Sequence, residues 1–122
     1  MFLKDNYYKV VSVEKSGESE GIVRLELLGD CDVYQGHFPG KPVCPGVCNM
    51  ETIKECACLV LGKDDLRYES IKMCRLTAVA TPEVCPEIEV KVRLDRKDNG
   101  YVVQGVVCDA RQTYMELKGI VA

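Results

Sequence analysis

The chain has little that would mark it for export, a membrane or nucleic acid. Behind Phe2 and Leu3 come Lys4, Asp5 and Asn6, so the N-terminus has no apolar core of a signal peptide. The longest nearly apolar stretch, Cys56 to Leu61, is far too short to span a bilayer. Lysine and arginine are scattered rather than massed, and the net charge is −3, which argues against nucleic acid as a partner. A cytoplasmic protein without membrane or nucleic-acid partners is expected. There is one histidine, His37, and no internal repeat, linker or low-complexity run.

At 122 residues the chain fits a single domain, 1–122, with one core. Its eight cysteines (Cys31, Cys44, Cys48, Cys56, Cys58, Cys74, Cys85 and Cys108) are expected to be free thiols in a reducing compartment. Cys44, Cys48, Cys56 and Cys58 lie close enough in sequence to suggest structural zinc. Their C-x3-C and C-x-C spacings are not paired C-x2-C knuckles, and a single histidine offers little help. Small apolar packing is the preferred reading, and no metal is assigned. Cys48, near a helix start, is also weighed as a nucleophile, with packing preferred.

Alternating apolar and polar residues mark about six strands. They fall at Tyr7 to Val13, Ile22 to Leu28, Tyr68 to Ala80, Glu87 to Asp95, Tyr101 to Ala110 and Tyr114 to Val121. Asp98-Asn99-Gly100 predicts a hairpin, since Asn-Gly tolerates positive φ. One stretch, Gly46 to Leu61, reads as a substantial helix, with Pro45 at its start and Gly62 as its C-terminal cap. Apolar residues cover most of its surface, so it should be buried. A carboxylate such as Glu51 on a buried helix needs a reason. The elements give an α+β domain, an antiparallel sheet wrapped around one central helix; periodicity does not give the strand order.

The most informative segment is His37-Phe38-Pro39-Gly40-Lys41-Pro42-Val43-Cys44-Pro45-Gly46-Val47. Prolines spaced three apart stiffen an extended loop, and that loop carries the only histidine into a helix N-terminus. Unpaired N–H groups and the positive end of the helix dipole there suit a polarised carbonyl. Glu51 follows fourteen residues after His37.

This pattern, His-Phe-Pro-Gly-x-Pro-x-x-Pro-Gly-Val-x-x-x-Glu, resembles the signature of the FabZ-type 3-hydroxyacyl-[acyl carrier protein] dehydratases of fatty acid biosynthesis. The close match runs from Tyr34 to Ala57. The resemblance implies a hot-dog fold and a hydro-lyase acting on a 3-hydroxyacyl thioester, giving a trans-2-enoyl product. By the same resemblance His37 is the base for the α-proton and Glu51 the acid for the departing hydroxyl. Gly46 N–H would hold the thioester carbonyl and the Val43 carbonyl would orient the imidazole, with Phe38 and Glu55 also placed around the substrate. The expected partners are an acyl carrier protein and a second copy of the chain, since the family unites its His and Glu across a dimer; dimers could assemble further. No cofactor is implied. The chain departs from its relatives at Asp5-Asn6-Tyr7-Tyr8 and around Cys74 to Pro86, and the proton-transfer pair is untouched by these changes.

Elementary chemistry agrees with those roles. Imidazole, with an ordinary pKa of about 6.5, is available as a base near neutrality. Glutamate, ordinarily near about 4.3, holds a proton only if burial raises its pKa. The plainer alternative for Glu51 is an ion pair with Lys54 or Lys41. Glu55, where the family usually has Gln, could share the Glu51 site or repel it. Lys41, Arg67, Lys72 and Arg75 are candidates for docking an acidic carrier, or simply solvated charges. Two other functions compete: an acyl-thioesterase in which Glu51 promotes water attack, and a non-catalytic acyl-binding subunit.

Overall fold

A computed structural model describes residues 3–31, 44–83 and 85–122. The elements are β1 (Tyr8–Gly17), β2 (Glu20–Leu27), α1 (Gly46–Leu61), β3 (Tyr68–Leu76), β4 (Glu87–Lys97), β5 (Gly100–Cys108) and β6 (Thr113–Val121). The strands form one antiparallel sheet in the order β1-β2-β4-β5-β6-β3. β1 and β3 are its edges. The α+β architecture expected from the pattern is present. Among the described residues no helix is long and apolar enough to cross a membrane.

Period-two patterning decides which face of the sheet meets the helix. Val23, Leu25 and Leu27 of β2, Ile88, Val90, Val92 and Leu94 of β4, and Val103 and Val107 of β5 are buried against α1. Arg24 and Glu89 lie on the opposite face and pair across β2 and β4 at 3.2 Å. Cys44, Cys48, Cys56, Cys58, Cys85 and Cys108 are buried free thiols, and the first five belong to the core itself. They pack as small apolar side chains.

α1 runs between the expected residues. Pro45 has extended backbone angles and caps the N-terminus, while Gly62 takes the left-handed conformation, φ 71°, and returns its N–H to the Cys58 carbonyl. The helix approaches the sheet closely because two core-facing strand positions are glycine. A Cβ on Gly105 would collide with the Ile53 side chain, and one on Gly21 would press on Val60 and on the Glu14 carbonyl.

Every strand differs from expectation at one or both ends, and the larger differences have physical reasons. β3 stops at Leu76 rather than Ala80, because its partner β6 begins at Thr113: Thr77 makes the closing bonds, its N–H donating to the Tyr114 carbonyl at 3.0 Å and its hydroxyl to the Thr113 carbonyl. β1 starts at Tyr8 and continues to Gly17, carried on by pairing with β2 despite its polar sequence. In the β4–β5 hairpin the positive φ falls on Asp98, at 52°, and Gly100 is already in the strand, paired with Lys97. Gly100 answers a different need: a Cβ there would run into the Val121 carbonyl and Ala122.

The glycine notch under Ile53 gives a test. Gly105→Ala should destabilise the fold by about 1–3 kcal/mol through overpacking, read by urea denaturation. Combined with Ile53→Ala, it should cost less than the sum of the single variants. Additive losses would show that the helix does not seat on Gly105.

Candidate active site

The site is built on the first half of α1. Pro45 accepts the N–H groups of Cys48 and Asn49 at 3.0 and 3.1 Å. The N–H groups of Gly46 and Val47 therefore lie outside the helical ladder. The stretch before the helix is tied down by Cys44 N–H donating to the Ala80 carbonyl at 2.8 Å. Tyr68 of β3 donates its hydroxyl to the Met50 carbonyl at 2.6 Å, which pins the helix immediately before Glu51.

Beside the helix start is a cavity of about 470 Å³ with Gly46, Asn49, Leu76, Thr77 and Val79 among its lining residues. It is mostly apolar, with a helix N-terminus and an amide at one wall. Asn49 is 3% exposed, and its Oδ1 accepts a long bond, 3.4 Å, from the Tyr7 hydroxyl. That bond turns Oδ1 toward Tyr7. The sequence reading overlooked Asn49; a polar residue inside an otherwise buried helix face was the available signal.

Glu51 is only 25% exposed, and its Oε2 lies 2.9 Å from the ammonium of Lys54, itself 14% exposed. The approach brings the charges together without directional hydrogen-bond geometry, since Oε2 has no hydrogen-bond partner. The ion pair with Lys54 entertained from sequence thus exists, and it sits in a partly buried setting. Burial pushes the Glu51 carboxyl above its ordinary pKa, the neighbouring Glu55 adds to this, and Lys54 opposes it.

Glu55, one turn further, is fully buried. Its carboxylate accepts the Leu3 and Lys4 N–H groups, both at 3.1 Å, and the Tyr8 hydroxyl at 2.7 Å. Burial and the bond to Glu55 push the Tyr8 phenol far above its ordinary range, so it stays a donor. The chain's departure at Tyr7-Tyr8 is thus matched by polar groups at Asn49 and Glu55 on the helix. The sequence marked the two tyrosines as a departure and gave them no role, because each acts across more than forty residues.

Of the residues singled out in sequence, Gly46, Glu51 and Glu55 lie on one helix, Gly46 at the cavity wall and the two carboxyls one turn apart. His37, Phe38, Val43 and Lys41 lie outside the described residues. Burial raises the Cys48 thiol, which works against a nucleophilic thiolate there. Arg75 is exposed and near Glu116 at 3.7 Å. Among the described residues no cluster of His, Cys, Asp and Glu could hold a metal ion.

A helix enclosed by a six-stranded antiparallel sheet in this order is a hot-dog fold. The model of the ApeI-like family, described as ApeI dehydratase, matches residues 13–114. The chain belongs to the ApeI-like family and is an enzyme of the dehydratase, hydro-lyase type. Among curated relatives, the 3-hydroxyacyl-[acyl-carrier-protein] dehydratase FabZ of Alkaliphilus metalliredigens is 26% identical over 118 residues, 87% of this chain and 79% of the relative. The FabZ of Acetivibrio thermocellus is 35% identical over 51 residues, 42% of this chain and 34% of the relative. Among solved structures, the dehydratase heterocomplex ApeI:P from Xenorhabdus doucetiae matches with a TM-score of 0.74 at 21% identity, covering 94% of this chain and 97% of that one. An uncharacterised protein from Erwinia carotovora subsp. atroseptica gives 0.69 at 17% identity, covering 94% and 95%. At such identities these two likenesses speak to the fold.

The Tyr8–Glu55 bond should contribute measurably to stability. Tyr8→Phe removes one donor from a buried carboxylate and should cost about 1.5–3 kcal/mol, seen as a lower urea midpoint. An unchanged midpoint would mean that the hydroxyl is not needed there.

Proposed function

We propose that the protein dehydrates a 3-hydroxyacyl thioester, carried on an acyl carrier protein, to the trans-2-enoyl thioester. His37 is the base and Glu51 the acid. The observation that carries this is a glutamate, in the second turn of a buried helix, whose surroundings favour its protonated form. It stands fourteen residues beyond the only histidine, and the relatives named FabZ support the substrate class.

In the reaction His37 takes the proton α to the thioester carbonyl. The freed electron pair forms the C2–C3 double bond, and the C3–O bond breaks with its pair on oxygen. Glu51 protonates that oxygen, which leaves as water. Gly46 N–H, and the positive end of the α1 dipole, stabilise charge gathering on the carbonyl oxygen. The acyl group occupies the cavity beside Gly46, and Val43 and Phe38 complete the site from the preceding loop. Lipid-type acyl chemistry in the cytoplasm is the setting this reading assigns. A thioesterase would instead release free thiol, and a non-catalytic subunit would bind without turnover.

His37→Ala and Glu51→Gln should each lower turnover by about two to four orders of magnitude, measured by enoyl-thioester absorbance, with the fold retained by circular dichroism. Near wild-type dehydration by either variant would overturn the assignment.

The partner is a second copy of the chain. Among the described residues β3 is hydrogen-bonded on one side only, and Ile71, Met73 and Leu76 on it are exposed, a combination that invites pairing. A second reading, pairing with a different hot-dog chain, is favoured by the related structure being a heterocomplex. Sedimentation of the purified chain separates them. A dimer broken by Ile71→Lys supports self-pairing through β3, and a wild-type monomer supports the different partner.

A further inference from the structure

Two acidic side chains one turn apart on a buried helix would ordinarily repel each other. Here their surroundings are unequal. Glu55 receives three donors, the Leu3 and Lys4 N–H groups and the Tyr8 hydroxyl. Such an arrangement favours the ionised carboxylate. Glu51 stands one helical turn away on the same helix, partly buried, with one cation, Lys54, at 2.9 Å. Two carboxyl groups this close on a helix largely out of water do not readily ionise together, so one of them keeps a proton.

We infer that Glu51 and Glu55 form a carboxyl pair holding one proton, with Glu55 as the ionised member and Glu51 as the proton carrier, and that Lys54 sets how tightly that proton is held. The inference rests on the reading of Glu51 as the acid and assigns Glu55 and Lys54 to it as positioning residues. The segment Leu3–Tyr8 becomes part of the acid's environment, because it supplies every donor just named to Glu55.

Among the described residues, the other titratable groups facing Glu51 carry no charge near neutral pH. Tyr8 on β1, Tyr68 on β3, and Cys48 and Cys58 on α1 all lie within its electrostatic reach, and burial raises each of them. A raised phenol or thiol stays neutral. Lys54 and Glu55 are therefore the charges that act on Glu51 among the described residues.

The two act with opposite sign. The ionised Glu55 disfavours a second negative charge and extends the protonated range of Glu51 to higher pH. Lys54 favours that charge and pulls the range down. Once Glu51 has given up its proton, the pair holds two negative charges, and their repulsion favours recovery of a proton from solvent water.

The test is a titration of the Glu51 carboxyl by NMR in protein labelled with ¹³C-glutamate. Glu55→Gln should lower the Glu51 midpoint by roughly one pH unit and Lys54→Met should raise it by a similar amount. The alkaline limb of the turnover profile should move in the same directions. Midpoints that stay fixed, or that move the same way in both variants, overturn the inference. If Glu55→Gln does not fold, Lys54→Met alone decides: an upward shift supports the inference and no shift overturns it. Wild-type turnover in Glu51→Gln would instead sink the acid assignment while leaving the titration result standing.

Discussion

Two carboxyl groups on a mostly buried helix, Glu55 fully out of water and Glu51 partly so, are the constraint on which this molecule is organised. An isolated carboxylate taken out of water is costly unless it is paired, hydrogen-bonded or protonated. Glu55 and Glu51 represent two of those solutions side by side. Glu55 is satisfied by donors from the N-terminal segment, and Glu51 is pushed toward keeping a proton while a single lysine limits the push. A uniformly apolar helix would pack as well and would have nothing to donate.

The fold serves that arrangement by fixing where the helix lies. Glycines at positions 21 and 105 let α1 sink onto β2 and β5. The Tyr68 hydroxyl holds the Met50 carbonyl, so the residue before Glu51 cannot drift. The segment after β3 closes back on β6 through Thr77 and on Cys44 through Ala80, which shapes a cavity wall next to the helix N-terminus. Helix seating and cavity thus follow from a small number of close contacts.

Much of this was legible in the residues. The strands showed as alternation, cleanest in β4, and the helix as a continuous apolar run between Pro45 and Gly62. The strand order was not legible, because period-two patterning says which face is buried and not which strand is the neighbour. Gly100 was rightly marked as important but for the wrong reason, since its need arises from the distant Val121 and Ala122. β3 ended early for the same kind of reason, since its distant partner β6 begins only at Thr113. At the site the motif pointed to Glu51 and Gly46. The partners of Glu55 were invisible because Leu3, Lys4 and Tyr8 reach it from the far end of the sequence. His37, the other half of the motif, rests on its sequence context.

Family and fold make the chain a dehydratase-type enzyme, and the chemistry proposed for it is proton transfer to and from a 3-hydroxyacyl thioester. The most direct measurement is the reverse reaction in deuterium oxide: a trans-2-enoyl thioester is supplied to the wild-type protein and the product is analysed by mass spectrometry. The account predicts a 3-hydroxyacyl thioester carrying one carbon-bound deuterium, at C2, with the thioester intact. Free thiol with an undeuterated acid, or an enoyl thioester that remains unchanged, would contradict it.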